Sequence, residues 1–293
     1  MKPPPFDYAA PDTLDEALDL LGRWGDDAKI LAGGQSLIPL LAFRLARPAM
    51  LIDINRIKAL ESARASGATV RLGALVRHRT AERAAPGELP AAVRLAAAQI
   101  GHVAIRNRGT VGGSLAHADP SAEWAAIALA YDGVVTSRSS RAERRLPADE
   151  FFVGFLASAL QADEMITGLD LQIPAGQAGS AFAEHARRHG DFAIAGVAAV
   201  LGLGPGDVVI HARIAVIGAA TKPTRCRAAE AALTGQTFGS SAADAAAREL
   251  TADLSLAGTD DDEREYRLHA AQTLTRRVLA AAASDARSEV SSP

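Results

Sequence analysis

The sequence is short of cysteine, of aromatic residues, of net positive charge and of long apolar runs, and each shortage removes a class of function. A single cysteine, Cys226, among 293 residues permits no internal disulfide. Nor can it alone hold an iron–sulfur cluster or a thiolate zinc site, which take several Cys ligands. Any redox chemistry must therefore use an organic cofactor or metals held by a partner. Eight Phe, three Tyr and two Trp amount to 4% of the chain, so the core has to be built largely from Ala, Leu, Val and Ile. Lys and Arg number 31 against 34 Asp and Glu, a formal charge of −3, which offers no net positive field for nucleic acid. No run approaches the roughly 18 uninterrupted apolar residues of a membrane span. The N-terminus, MKPPPFDYAAPDTL, has no apolar stretch of the signal-peptide kind. A cytoplasmic protein is the simplest account.

What is present is ordinary globular material, 48% apolar and 22% charged. At about 150 residues per domain the length allows two domains or one large one with subdomains. Thr13 followed by LDEALDLLGRWG predicts a capped helix with Leu14, Ala17, Leu18 and Leu21 on one face and Gly22 or Gly25 at its end. A strand over 28–32 runs into a Gly-Gly turn, SLIPLLAFRLA has helical spacing, and 48–54 and 69–75 read as strands. Residues 89–101 predict a helix and 102–120 a glycine-broken loop. Asp119 and Pro120 then open a helix as N-cap and first residue. Strands are expected at 133–138 and 164–174, with a domain boundary in the small, flexible residues around Pro174. Beyond it, two strand-like runs flank Gly204-Pro205-Gly206-Asp207, a hairpin signal. Helices are expected at roughly 224–235, 240–254 and 262–283. Tyr266, Ala270, Leu274 and Val278 mark the packed face of the last, and the tail at 287–293 is expected to fray.

Two loops carry the chemical signal: Ala32-Gly33-Gly34-Gln35-Ser36 and Thr110-Val111-Gly112-Gly113-Ser114. Paired glycines let a backbone approach a ligand closely and turn successive N–H groups towards an anion. Neither loop is a Walker A or a G-x-G-x-x-G motif, and each taken alone also reads as a tight strand-to-helix turn. Glu123, in the first helical turn after the second loop, either accepts from a ligand hydroxyl or offsets the helix dipole. His185 and His189 stand four apart with Ala-Arg-Arg between them and no nearby carboxylate of the zincin type, which favours a solvated basic face over a metal site. Cys226 beside Arg225 reads as a packing residue more than a reactive thiol. G-x-S-x-G is absent, and no catalytic or metal-ligating set is assigned.

The stretches KILAGGQSLIPLLAFRLARPAMLIDI (29–54) and IRNRGTVGGSLAHADPSAE (105–123) together resemble the FAD-binding medium subunit of the molybdenum hydroxylases. This is the family of aerobic carbon monoxide dehydrogenase and xanthine dehydrogenase. FFVGFLASALQADEMI (151–166) and RRHGDFAIAGVAAVL (187–201) extend the likeness over most of the chain. The resemblance implies an α+β protein. An α/β FAD-binding domain of the PCMH type, residues 1–175 with subdomains about 1–57 and 58–175, would precede a smaller α+β C-terminal domain at 178–286. It implies that Lys29, Ile30, Leu31, Ala32, Gly33, Gly34, Gln35, Ser36 and Leu37 wrap the FAD pyrophosphate. Thr110, Gly112, Gly113, Ser114 and His117 would line the flavin and ribityl chain, with Glu123 at the acidic position. Ile100 and Ile105 would lie against the ring system and Leu160 near the adenine end. Members often carry a lysine after the aromatic residue matched by Phe182, where this chain has Ala183, so no contact is assigned there.

The family's chemistry then implies electron transfer. Electrons from a molybdopterin subunit would pass through a [2Fe–2S] subunit to this FAD and on to NAD, a quinone or another carrier, within a dimer of heterotrimers. Two other readings stay open: a self-contained flavin oxidase or dehydrogenase, and a flavin-bearing interaction module that transfers no electrons.

Overall fold

The computed structural model describes residues 2–289. The chain begins with a three-stranded parallel sheet of order β1-β3-β2, made of β1 (Asp7–Ala9), β2 (Ala28–Leu31) and β3 (Met50–Asp53). Helix α1 (Leu14–Trp24) connects β1 to β2, and α2 (Leu37–Ala42) lies between β2 and β3. The Thr13 hydroxyl caps α1 by accepting from the Glu16 N–H at 3.3 Å. Gly25, at φ 51°, ends it, and Ala17, Leu18 and Leu21 are buried on the expected face.

The second unit is an antiparallel sheet of order β4-β5-β10-β6-β7. Its elements are β4 (Ala63–Ser66), β5 (Thr69–Gly73), α3 (His78–Glu82), α4 (Ala91–Gln99), α5 (Val103–Arg108), α6 (Val111–His117), α7 (Glu123–Ala130), β6 (Val134–Arg138), β7 (Glu143–Pro147), α8 (Ala148–Phe151), the β8 (Phe152–Gly154) and β9 (Ala157–Ser158) hairpin, and β10 (Met165–Gln172). The expected loop at 102–120 is thus mostly helical, because Thr110 caps α6 by accepting from the Gly113 N–H at 3.1 Å. The helix expected from Asp119 starts later. The Asp119 carboxylate instead accepts from the Ser121 N–H at 2.8 Å, closing a turn that delays α7 until Glu123.

The third unit is an antiparallel sheet of β11 (Ala178–His185), β12 (Ala195–Leu203), β13 (Val209–Ile217) and β14 (Thr224–Arg225), followed by α9 (Arg227–Leu233), α10 (Ser240–Asp253) and α11 (Asp261–Glu289). The β12–β13 connection turns at Gly206, φ 70°, and Asp207, φ 58°. One face of the sheet (Phe182, Ala198, Val200, Ala215, Ile217) joins the core around α4 and α7. The other (Val197, Ala199, Leu201, Ile214, Val216) joins a second core with α9, α10 and α11. Every residue of β12 is therefore buried. The scarcity of aromatics is met by placing Trp124, Tyr131, Phe151 and Phe152 among the largest fully buried side chains, with Ala, Leu, Val and Ile filling the rest.

Two expectations for α11 are corrected. It runs to Glu289 instead of ending at 283, so residues 287–289 of the expected tail are helical, while 290–293 lie outside the described residues. Its buried face is Ala271, Leu274, Thr275, Val278, Leu279, Ala282, Ala283 and Ala286. Tyr266 stays half exposed and hydrogen-bonds His185 at 2.7 Å. No helix among the described residues is long and apolar enough to cross a membrane.

Candidate functional site

Two short polar loops from different sheets meet where the glycines allow it. Gly33 follows the C-terminal end of the parallel strand β2, and a Cβ there would lie 2.5 Å from the Arg108 carbonyl oxygen and 2.7 Å from Gly109 Cα. Only a residue without a side chain lets the first loop sit against the second. A Cβ on Gly113 would in turn reach within 3.9 Å of Ala32 Cβ. Gly34, at φ 74°, makes the turn into α2.

The loops differ in what their backbones offer. In the second, the N–H groups of Val111 and Gly112 donate to the carbonyls of Val76 (3.0 Å) and Ala74 (2.9 Å). Those of Gly113 and Ser114 donate to Thr110. Of that loop's amides only that of buried Thr110 lacks an acceptor among the described residues, contrary to the symmetry expected from its glycines. In the first, helix bonding begins only with Ile38 donating to the Gly34 carbonyl at 2.9 Å. The amides of Gly33, Gly34, Gln35, Ser36 and Leu37 have no acceptor among the described residues. Gln35 and Ser36 are exposed, Gly34 and Leu37 partly so, and Gly33 is buried, so the accessible donors run from Gly34 to Leu37. The second loop contributes close backbone approach at the exposed Gly113 and the half-buried side chains of Ser114 and His117.

The remaining expected residues take varied places. Lys29, Ile30 and Leu31 are within β2, where Ile30 packs onto the core beneath the sheet. Ile105 is on α5, and Ile100 is in the turn before it. That turn is held by buried Arg106, which donates to the carbonyls of Ile100 (3.1 Å) and Gly101 (2.8 Å) and pairs with Glu82 at 2.8 Å. Leu160, two residues after β9, packs against the central core. Glu123 is the first residue of α7 and faces a carboxylate not foreseen from the sequence, Glu184 on β11. Burial pushes the Glu123 carboxyl up to about 8, with Glu184 and Asp119 adding repulsion. Burial raises Glu184 to about 7. Glu184 Oε2 is buried and has no hydrogen-bond partner among the described residues. The pair therefore holds at least one proton near neutral pH, and one oxygen waits for a donor.

Other groups are structural. His78 Nδ1 accepts from the Trp124 indole N–H at 2.9 Å. Burial first, then Arg77 and Arg106, depresses His78 to about 3, so it is neutral. His185 ends a strand and His189 lies in the following loop, its ring 6.2 Å from that of His102. They are not neighbours on a helix, and no group of three or more metal-ligating residues occurs among the described residues. Cys226 is fully buried, and burial drives its thiol well above its ordinary value. A cavity of about 680 Å³ between β4 and α3, lined by Arg64, Arg79 and Arg83, contains neither glycine loop.

Sequence reasoning missed Asn55, Arg77 and Glu184. An Asn just past a strand end marks a polar turn, but its partners come from residues 22 and 23 positions away.

Residues 4–175 match the family described as "FAD binding domain in molybdopterin dehydrogenase", and residues 180–282 match "CO dehydrogenase flavoprotein C-terminal domain". The chain is 43% identical to 6-hydroxypseudooxynicotine dehydrogenase complex subunit alpha of Paenarthrobacter nicotinovorans, over 98% of this chain and 97% of that one. It is 40% identical to the nicotine 6-hydroxylase medium subunit of the same organism, over 95% and 98%. Its fold superposes on a chain of carbon monoxide dehydrogenase from Hydrogenophaga pseudoflava with a TM-score of 0.91 and 36% identity, covering 97% of this chain and 99% of that one.

Proposed function

The chain belongs to the family of FAD-binding medium subunits of the molybdenum hydroxylases, and on that premise we propose that it is the electron-transfer subunit of such a complex. It takes electrons from a [2Fe–2S] partner subunit and delivers them to an external acceptor such as NAD or a quinone. The substrate is oxidised at a molybdopterin subunit, so this chain supplies no acid–base pair to that step. The complex is a dimer of heterotrimers in the cytoplasm.

One observation carries the reading at the level of residues: the row of unpaired amides from Gly33 to Leu37, brought against the second glycine loop. Four N–H groups from Gly34 to Leu37, accessible and without an acceptor among the described residues, suit a pyrophosphate, which brings several anionic oxygens and needs no lysine. Gly112, Gly113, Ser114 and His117 line the flavin and ribityl side, and Thr110 acts there chiefly by capping α6. Glu123 and Glu184 hold a proton between them and offer both donor and acceptor to sugar hydroxyls, which matches the unpartnered Glu184 oxygen. Ile100, Ile105 and Leu160 supply apolar surface. Bound FAD supplies a centre that exchanges electrons singly or in pairs. The protein's part is to bind it, orient it and set its electrostatics. We place the FAD-binding domain at 1–175 and the C-terminal domain at 178–286.

Mild purification of the full chain with whatever accompanies it, followed by an absorption spectrum and metal analysis, tests this. Flavin, iron and molybdenum in one complex is the expected result. Flavin alone, with turnover of a small organic substrate by this chain, would transfer the reading to a self-contained oxidase. Bound flavin that partner subunits cannot reduce would leave an interaction module. No flavin after reconstitution would overturn the assignment.

A further inference from the structure

The carbonyls that lead into the two glycine loops are held by one side-chain relay. Asn55, just after β3, donates through Nδ2 to the Ala32 carbonyl at 2.8 Å. Its Oδ1 accepts from Arg77 Nη2 at 2.7 Å, and Arg77 Nη1 donates to the Arg108 carbonyl. Asn55 is itself fixed by Asp53, whose Oδ1 accepts from the Asn55 backbone N–H (2.9 Å) and from Nδ2 (2.6 Å). Tyr8 OH donates to the other Asp53 oxygen at 2.7 Å. Burial opposes ionisation of Asp53, yet the Asn55 and Tyr8 donors, with the charge of Arg108, hold its carboxyl below the ordinary value.

We infer that Asn55 and Arg77 are positioning residues that aim the first glycine loop at its anionic ligand and fix its spacing from the second loop, a role that rests on the cofactor reading above. In a planar trans peptide the C=O and N–H point in opposite directions. Anchoring the Ala32 oxygen on Asn55 therefore turns the Gly33 N–H away from Asn55 and fixes the peptide from which the row of free amides begins. Arg77 acts on the opposing wall. The Arg108 carbonyl lies against Gly33, and its partial negative charge would repel an anion on that loop. The guanidinium occupies that oxygen and sets a positive charge beside it.

The test uses the full-length chain, with FAD affinity read by equilibrium dialysis, bound flavin by its visible spectrum, and apo stability by thermal denaturation. Asn55→Leu and Arg77→Met should each raise the FAD Kd about tenfold or more, as expected when a hydrogen bond serving a charged ligand is lost. Arg77→Lys, which keeps the charge and one donor, should recover part of the loss. The flavin spectrum, which reports the ring and not the pyrophosphate, should stay that of wild type. Ile52→Val, in the core under the same sheet, is the control for plain loosening. Asn55→Ser serves if Asn55→Leu does not fold. Loss of affinity in Ile52→Val as large as in the relay variants would overturn the inference, and so would a changed spectrum or unchanged affinity in both relay variants. A wild-type chain that binds no FAD would overturn the functional reading, and this role with it.

Discussion

Glu123 and Glu184 give the clearest physical signal at the scale of single residues, because both carboxyls titrate above the ordinary 4.5, at about 8 and about 7. A folded state that keeps protons the unfolded chain has released is stabilised below the unfolded value, and it loses that stability as pH rises through the folded values. His78 works in the opposite sense. Its folded value of about 3 lies below its ordinary 6.5, so acidification below 6.5 favours the unfolded chain. Burial depresses His211 in the same sense as His78, and both contributions fade as the unfolded histidines lose their protons above pH 6.5, so between about pH 7 and 8 the glutamates dominate. Urea denaturation of the apo chain over that range should show stability falling with pH, by at most about 1.4 kcal/mol per pH unit for each proton. Glu184→Gln should flatten the slope, since it removes one group and relieves the other. An equal slope in the variant would refute the pairing. The glycine loops were legible at this scale because a Gly-Gly pair beside a hydroxyl residue is a local signal. Asn55, Arg77 and Glu184 were not, since each draws its role from partners distant in sequence.

Among the elements, α6 shows how a local signal can mislead. Two glycines within TVGGS suggest a loop, but Gly112 is needed for contact, because a Cβ there would come within 2.6 Å of Ala74 Cβ. The helix survives through its cap and through packing on β5 and β10. Thr110→Ala should therefore cost about 1 kcal/mol, the usual worth of such a cap. Thermal denaturation of the apo chain checks this, and no shift in midpoint would show that packing alone holds α6. Strands β3, β5, β6, β10, β12 and β13 were readable as apolar runs. Strands β1, β8, β9 and β14 were not, because they are only two or three residues long, nor was β4, exposed at every residue, or β7, whose sequence ERRLP is mostly charged. The packed face of α11 was misread at Tyr266, whose ring meets His185 instead of the core.

For the whole molecule, the third sheet decides what can be separated. Its inner face completes the core around Trp124 and Ile127, and the Ser180 hydroxyl accepts from the Ala92 N–H of α4 across the boundary at 3.1 Å. A chain ending at residue 175 should therefore fail to reach a native state, showing weak near-UV circular dichroism and aggregation, whereas the full chain unfolds in one transition. A soluble, cooperatively folded fragment would contradict this. A change in composition marks the sequence near Pro174, but the mutual burial across it is not visible there, because a buried strand and a buried helix look alike whichever partner covers them. The first sheet is tied in as well, since Leu75 and Met165 of the second unit sit in its core. Walls joined by common cores do not swing apart on a hinge. On the site proposed above, exchange of the nucleotide should require only brief local opening of residues 32–36, with kinetics that follow the lifetime of that one segment, decoupled from the slow global unfolding of the protein.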